Sequence, residues 1–304
     1  MKLEENVKLA PFTYYKIGGH ARYFVQPESV QQLEEISRFL NSTKNPYFIL
    51  GAGSNVLFDD DGFEGLIIQT SKLNRTLEHP SPSCIKAGSA TQVIQLLRLC
   101  MNEGISGFEF LVGIPGNVGG ALYMNAGTKL GEVKDVLQEI TTFDLLSGEE
   151  RKYDRQQIRY EYRSQHFLSA HEIITGGTFT CAQSTPERVQ AEIQALLALR
   201  KKSQPIDKPS CGSVFKNPDP AKGLHAWKLI ADTGLRGHRI GAAQISELHT
   251  NFIINLGGAK AKDVLGLISL AKNKVKDAFG ISLEEEVRII PRTGANTLQG
   301  DKHS

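Results

Sequence analysis

Long apolar runs are missing from this chain of 304 residues. No stretch approaches the roughly 18 consecutive apolar residues of a bilayer crossing, so no membrane span is expected. The opening residues MKLEENVKLAPF carry Glu4 and Glu5 and no long apolar core. That excludes a secretory signal and points to the cytoplasm. Cysteine is scarce. Cys84, Cys100, Cys181 and Cys211 form no CxxC pair, and no Cys/His spacing fits zinc or any other metal. Reduced and mostly buried thiols are expected. Charge of one sign is also missing: 35 Lys plus Arg stand against 33 Asp plus Glu, a formal net charge of +2. The densest basic cluster, LRKKSQ at 199–204, is too short for a nucleic-acid stripe, so no nucleic-acid partner is expected. There is no internal repeat and no low-complexity segment.

What is there is ordinary globular material, 40% hydrophobic and 22% charged, which excludes a mostly disordered or fibrous chain. The length fits two or three compact units. ARYFVQP at 21–27 reads as a strand, and Ser29 with Gln32 forms a capping box for a helix carrying Val30, Leu33, Ile36, Phe39 and Leu40. Asn45-Pro46 breaks it, and YFIL at 47–50 is a buried strand leading into GAGSN at 51–55; LIIQ at 66–69 is another. CIKAG at 84–88 is a strand, and Thr91 caps a helix that Gly104 ends. Residues 139–153 read as a hairpin turning at Ser147-Gly148, and IITGGTFTC at 173–181 as a strand. Thr185-Pro186 opens a helix, with Pro at its first position. After Arg200 the polar, proline-bearing KKSQPIDKPSCGS reads as a linker or site loop. Beyond it come a helix near 223–232, a strand at 252–255, and a helix at 261–279 with Val264, Ile268, Ala271, Val275 and Phe279 on one face. LEEEVRII at 283–290 reads as a closing strand, and the tail as disordered. This mixture without a regular βαβαβ series predicts an α+β class rather than a doubly wound sheet.

Two glycine loops invite a ligand. GAGSN follows a strand, its glycines let backbone N–H groups approach an anion, and Ser54 and Asn55 add donors. It is neither a Rossmann fingerprint, since Val56 stands where the third glycine belongs, nor a P-loop, and alone it is no more than a turn. The second, GIPGNVGGALYMNAG at 113–127, holds five glycines in fifteen residues. Tight turns or close helix packing would explain them. So would a backbone cradle for a pyrophosphate, stiffened by Pro115. Two cradles in one half of the chain favour a large dinucleotide over a single phosphate.

Four further segments carry candidate chemistry. Arg163, in EYRSQHF, reads as a surface arginine stacked on Tyr162 or Phe167, or as an anion clamp. Ser213, in SCGSVFKNP, lies outside any GxSxG elbow and has no assigned base, which argues against a serine protease or lipase. An ST-turn is the plain alternative to a proton donor. Strand alternation through LEEEVRII sets Glu286 and Arg288 on one face and Val287 and Ile289 on the other, so Glu286 can face a cleft. His249, in SELHTNF, reads as a hydrogen-bonding structural group.

In order, these segments resemble the UDP-N-acetylenolpyruvoylglucosamine reductases, commonly called MurB, of bacterial cell-wall synthesis. TYYKIGGHA at 13–21 looks like the family's opening Thr-x-x-x-Ile-Gly-Gly, and ILGAGSNVLF at 49–58 like its first flavin loop. GIPGNVGGALYMNAG is its most diagnostic segment, and YRSQHF, PSCGSVFKNP, GLRGHRIGAAQISELHTNFIIN and LEEEVRII follow in the family's order. The resemblance spans roughly residues 5–291. The short spacing from Arg163 to Ser213 resembles the type II form, without a substrate-capping insertion.

The resemblance implies an FAD-binding module of the PCMH or vanillyl-alcohol-oxidase type. Its two subdomains fall at 1–70 and 71–200, with a smaller α+β substrate-binding domain at 201–291 and a disordered tail at 292–304. It implies NADPH-dependent, FAD-mediated reduction of UDP-N-acetylenolpyruvoylglucosamine to UDP-N-acetylmuramate, by a cytoplasmic monomer. Gly51, Ala52, Gly53, Ser54, Asn55, Gly113, Ile114, Pro115, Gly116, Gly119 and Gly120 would hold FAD. A hydride from flavin N5 would add to the terminal vinyl carbon. Arg163 and Glu286 would stabilise the enolate-like charge, and Ser213 would give the proton to the adjacent carbon. Lys216 and Asn217 would contact substrate. Two departures stand out: Gln165 replaces the family's serine after Arg163, and Leu248 replaces a lysine. A flavin alcohol oxidase on the same module, a non-turning-over flavin or nucleotide binder, and a structural partner that has lost FAD are the alternatives. The Ser213 and Glu286 motifs argue against the oxidase, retention of all three chemical residues argues against the binder, and apoprotein of normal stability would support the structural partner.

Overall fold

The computed structural model describes residues 1–294. The first residues of the expected tail fall within it, and there Arg292 lies against Glu64 (Nη2 to Oε1, 2.7 Å); residues 295–304 lie outside the described residues.

Three sheets carry the architecture. The first runs in the order Glu4–Lys8, His20–Val25, Phe63–Gln69, Tyr47–Leu50. Its first pair is antiparallel and the other two are parallel. Phe63–Gln69 holds the central place because Leu66, Ile67 and Ile68 are apolar on both faces and wholly buried. The second sheet is antiparallel, in the order Glu149–Asp154, Leu137–Asp144, Glu172–Thr180, Cys84–Gly88, Leu77–Ser81. The third is a small antiparallel sheet of Arg239–Ile240, Ala243–Ile245 and Ile253–Asn255. The segregation of helices and sheets is the α+β class read from the sequence.

Among the described residues seven α-helices cover these sheets: α1 (Val30–Thr43), α2 (Val93–Glu103), α3 (Val118–Tyr123), α4 (Val133–Val136), α5 (Pro186–Ser203), α6 (Ala226–Asp232) and α7 (Ala261–Phe279). Ser29 caps α1 by accepting from Gln32 N, while Gln32 Oε1 reaches past it to Glu28 N. Gln92, not Thr91, caps α2; the Thr91 hydroxyl instead donates to Thr76 O (2.8 Å). The apolar face of α7 is buried through Val264, Leu267, Ile268, Ala271 and Val275. Phe279 departs from that expectation and is exposed, because the left-handed Gly280 (φ 71°) ends the helix there and its last turn clears the core. Asp60, from the first half of the chain, caps the same helix by accepting from Ala261 N (2.7 Å) and Lys262 N (3.1 Å).

The closing strand is shorter than its pattern suggests. Only Arg288–Ile290 is a strand, and it pairs in parallel with Val56–Phe58, directly after the first glycine loop. Residues before it follow 214–216 instead: Lys216 N donates to Glu284 O and Glu286 N to Val214 O. The predicted alternation survives on one side. Val287 is buried, but Ile289 is exposed. The cysteines are free thiols: Cys100 and Cys211 are buried, Cys84 and Cys181 only partly so. Among the described residues no helix is long and apolar enough to cross a membrane.

Candidate active site

A cavity of about 340 Å³ opens where the two glycine loops, the turn bearing Arg163, the Cys211–Ser213 segment and the start of the closing strand meet. That is within the roughly 300–1,000 Å³ usual for ligand sites.

The first loop is built as an anion cradle. Residues 51–55 all line the cavity. Among the described residues, no acceptor receives the backbone N–H groups of Ala52, Gly53, Ser54 or Asn55. Four adjacent donors left open to a cavity suit a diphosphate. The Asn55 side chain does not add to them as expected. Its Nδ2 donates to Glu286 O (3.0 Å), tying the loop to the segment that carries Glu286.

The glycines divide into two kinds. A Cβ on Gly51 would stand 3.2 Å from Asn117 Oδ1, and one on Gly120 3.3 Å from the same atom, so side chains there would fill the space between the loops. At Gly116 (φ 126°) a Cβ would meet Ser54 Oγ at 3.0 Å. These three keep the cradle open. Gly53, Gly113 and Gly119 are glycine for packing. Their Cβ atoms would lie 2.1 Å from Phe12 O, 2.6 Å from Arg200 Cδ and 2.9 Å from Ser89 Cβ. Ile114 and Pro115 line the cavity with the rest; Gly113 does not. An open cradle with unengaged N–H groups, flanked by Leu50, Ile173 and Ile174 for an aromatic group, fits FAD.

At the other end the side chains converge. Arg163 Nε donates to Glu286 Oε1 at 3.0 Å, Nη2 to Gly127 O at 2.8 Å and Nη1 to Asn125 O at 3.4 Å. Its guanidinium stands 5.0 Å from the Tyr162 ring centroid, as the stacking reading expects. Arg163 occupies the two-residue turn between Tyr160–Glu161 and Ser164–Gln165, at φ 58°. Burial pushes the Glu286 carboxyl above its ordinary range, against the opposing pull of Arg163 and then Lys216. Ser213 lines the same cavity, next to the left-handed Gly212 (φ 79°). The segment after it is locked by the buried Asn251, which accepts from Phe215 N (2.9 Å) and donates to Phe215 O (2.8 Å). Cys211 also lines the cavity, but burial pushes its thiol up to about 12, so it is no thiolate nucleophile near neutrality.

The substrate-contact candidates separate. Asn217 lines the cavity while its Oδ1 accepts from Ala226 N at the start of α6. Lys216 is turned to Glu284 (2.5 Å) and is not part of the lining. Gln165 Oε1 accepts from Phe167 N and Leu168 N, so it holds its own loop. Leu248 is 48% exposed and touches no part of the site. His249 differs from its expected role. Its Nδ1 has no partner among the described residues, the ring packs on Phe252 (4.9 Å), and burial pushes it down to about 4.

Arg288 and Arg200 line the cavity without a carboxylate partner among the described residues. Arg288 stands 5.2 Å from the centroids of both Phe48 and Tyr123. Arg200 Nη1 donates to Val112 O (2.7 Å) at the foot of the second loop. The alternation argument set Arg288 beside Glu286. Arg200 carried no signal, because a basic residue ending a helix is commonplace.

The FAD binding domain family model matches residues 21–153, and the UDP-N-acetylenolpyruvoylglucosamine reductase, C-terminal domain model matches residues 204–290. A UDP-N-acetylenolpyruvoylglucosamine reductase of Listeria monocytogenes serovar 1/2a is 40% identical over 285 residues, 94% of each chain. That of Geobacter metallireducens is 41% identical over 282 residues, 93% of this chain and 92% of the relative. The crystal structure of UDP-N-acetylenolpyruvylglucosamine reductase from Thermus caldophilus superposes with a TM-score of 0.80 at 33% identity, covering 96% of this chain and 100% of that one.

Proposed function

The chain belongs to the UDP-N-acetylenolpyruvoylglucosamine reductase family, and from that premise we propose that it reduces the enolpyruvyl vinyl group of UDP-N-acetylenolpyruvoylglucosamine to UDP-N-acetylmuramate. FAD, held by the glycine loops, would supply the hydride-transfer chemistry between NADPH and the vinyl group. The single observation that carries the assignment of roles is the 3.0 Å Arg163–Glu286 pair facing the cavity that Ser213 also lines.

Each residue has a distinct task. The backbone N–H groups of residues 52–55 hold the cofactor's diphosphate, and Gly51, Gly116 and Gly120 leave it room. Arg163 stabilises the negative charge that develops on the substrate carboxylate. Three of its N–H donors are engaged inside the protein, which fixes the orientation of the two that remain. Glu286, held above its ordinary range by burial, keeps a proton to higher pH and donates a hydrogen bond to the same carboxylate. Ser213 gives its hydroxyl proton to the carbon next to the carboxylate. A hydroxyl is a weak acid, so this step needs a strongly basic carbon and a site closed to water. Asn251 keeps the Ser213 segment rigid for that transfer. Substrate and NADPH use one pocket in turn. Residues 1–70 and 71–200 would hold the cofactor, and residues 201–291 would supply the substrate-binding domain. The enzyme acts as a cytoplasmic monomer on a small nucleotide sugar.

Anaerobic stopped-flow absorbance near the flavin band tests this. NADPH should bleach the oxidised protein, and UDP-N-acetylenolpyruvoylglucosamine should restore the colour. Bleaching without recovery refutes the substrate; failure to take up FAD refutes the reading of the glycine loops.

A further inference from the structure

Asn125 has none of the roles above, yet it is a wholly buried polar residue beside the reacting end. Its backbone sits at φ 44°, in the left-handed region that asparagine tolerates far better than most residues. Its side chain is fully occupied. Nδ2 donates to Glu132 Oε2 (2.9 Å) and to Glu161 O (3.4 Å), and Oδ1 accepts from Lys134 N (3.0 Å). Glu161 stands two residues before Arg163 on the hairpin whose turn Arg163 occupies. One side chain therefore ties that turn to the start of α4. The main chain of the same segment acts on Arg163 directly, through the carbonyls of Asn125 and Gly127. Arg163 needs such support, because its own φ of 58° is a strained setting for a side-chain-bearing residue.

We propose that Asn125 is a positioning residue, holding the Arg163 guanidinium against Glu286 by fixing both the carbonyl that faces it and the turn that carries it. The inference rests on the roles assigned above to Arg163 and Glu286.

The charged or titratable groups acting on Glu286 are Arg163, Lys216 and the Cys211 thiol. Arg163 pulls the carboxyl down against burial. If Arg163 is let go, the limb of the pH–rate profile governed by Glu286 must move to higher pH.

The test uses FAD-loaded Asn125→Ala, Asn125→Gly and Asn125→Asp. Asn125→Ala should slow the substrate-reducing half-reaction by about 100-fold, the scale of a displacement of about 1 Å. Flavin reduction by NADPH should be unchanged, and the Glu286 limb should move up. Asn125→Gly accepts the left-handed backbone and removes only the side-chain ties. It should fall between Ala and wild type, and it carries the test if the alanine variant fails to fold. Asn125→Asp sets a carboxylate against Glu132 and should be slow; adding Glu132→Gln restores a donor–acceptor pair and should recover the rate. A loss of melting temperature with a wild-type pH profile, or no recovery in the double variant, overturns the inference. Arg163→Lys separates the two readings. If it leaves turnover intact, the role of Arg163 itself fails. If it is slow while folded Asn125 variants are fast, only the positioning role fails.

Discussion

The two ends of the cavity are built on opposite plans. Around residues 52–55 the useful groups are backbone N–H donors that no acceptor among the described residues engages, and side chains are kept away. Around Arg163 the useful groups are side chains, and most of their hydrogen-bonding capacity is already engaged by Glu286, Asn125 and Gly127. The difference follows from what each end must do. A resident cofactor can complete the hydrogen bonds of its own cradle, so the cradle can leave them open. A transient substrate needs donors already aimed before it arrives, because only interactions stronger in the transition state raise the rate. Binding here is a matter of room and backbone geometry, and chemistry a matter of rigidity.

Four experiments can break or sharpen that contrast. The largest effect is expected at the reacting end. Ser213→Ala should slow the substrate-driven return of flavin colour by about 10²–10⁴-fold and leave FAD retention and reduction by NADPH unaltered. Equal slowing of both half-reactions in stopped flow would dissolve the division of labour. The next effect belongs to the cradle. Gly51→Val crowds the space facing Asn117 and should weaken FAD binding to apoprotein by about 10–100-fold, the counterpart of roughly 1–3 kcal/mol of overpacking. Gly53→Ala is its control. At φ 71°, with a Cβ 2.1 Å from Phe12 O, it should lower unfolding stability by more than about 1 kcal/mol in denaturant, while the folded fraction keeps its FAD. Should Gly53→Ala lose FAD at full stability, the separation of cradle glycines from packing glycines is wrong.

Glu286 gives the third experiment. Its folded carboxyl lies above its unfolded value because of burial. The folded state then binds the proton more tightly, and stability falls as pH rises from the unfolded value through the folded one. Glu286→Gln should remove that slope from a series of melting curves. It should also flatten the fall in rate as pH rises, since the amide remains a donor at every pH. A slope that persists in the variant means another group is responsible. The smallest effect is expected at Leu248. Restoring the family's lysine there should change stability by no more than about 0.5 kcal/mol and leave turnover alone, as its exposed position outside the cavity predicts.

The sequence exposed the elements whose signals are local. The caps at Ser29 and Thr185, the exact run of Cys84–Gly88 and the bounds of α7 rest on short-range chemistry, and each is found in the structure. The closing strand was less legible, because strand length depends on a partner far away in the chain, and Val56–Phe58 offers only three residues. At the site, motif order brought Arg163, Ser213 and Glu286 to notice. It said nothing of what the glycines touch. Gly53 and Gly120 look alike in sequence and both line the cavity, but a Cβ on Gly53 would run into the Phe12 carbonyl while one on Gly120 would meet only Asn117 Oδ1. Asn125 went unread for a related reason. A buried asparagine in a left-handed turn is recognised by its φ and its partners, and neither is local in the sequence.

The pairing of Arg288–Ile290 with Val56–Phe58 also bears on how the molecule is made. A ribosome releases the first glycine loop long before it releases the strand that docks beside it. Through most of synthesis Val56, Leu57 and Phe58 must wait with one edge uncovered, and a contact of such long range closes slowly. Glu286 arrives with that same strand, so the nascent chain cannot assemble its reacting end before the edge is sealed. A message cut short before codon 286 would yield a protein with both glycine loops, Val56–Phe58 without its partner strand, and neither Glu286 nor its pair with Arg163. Cells would be expected to clear it as a misfolded chain.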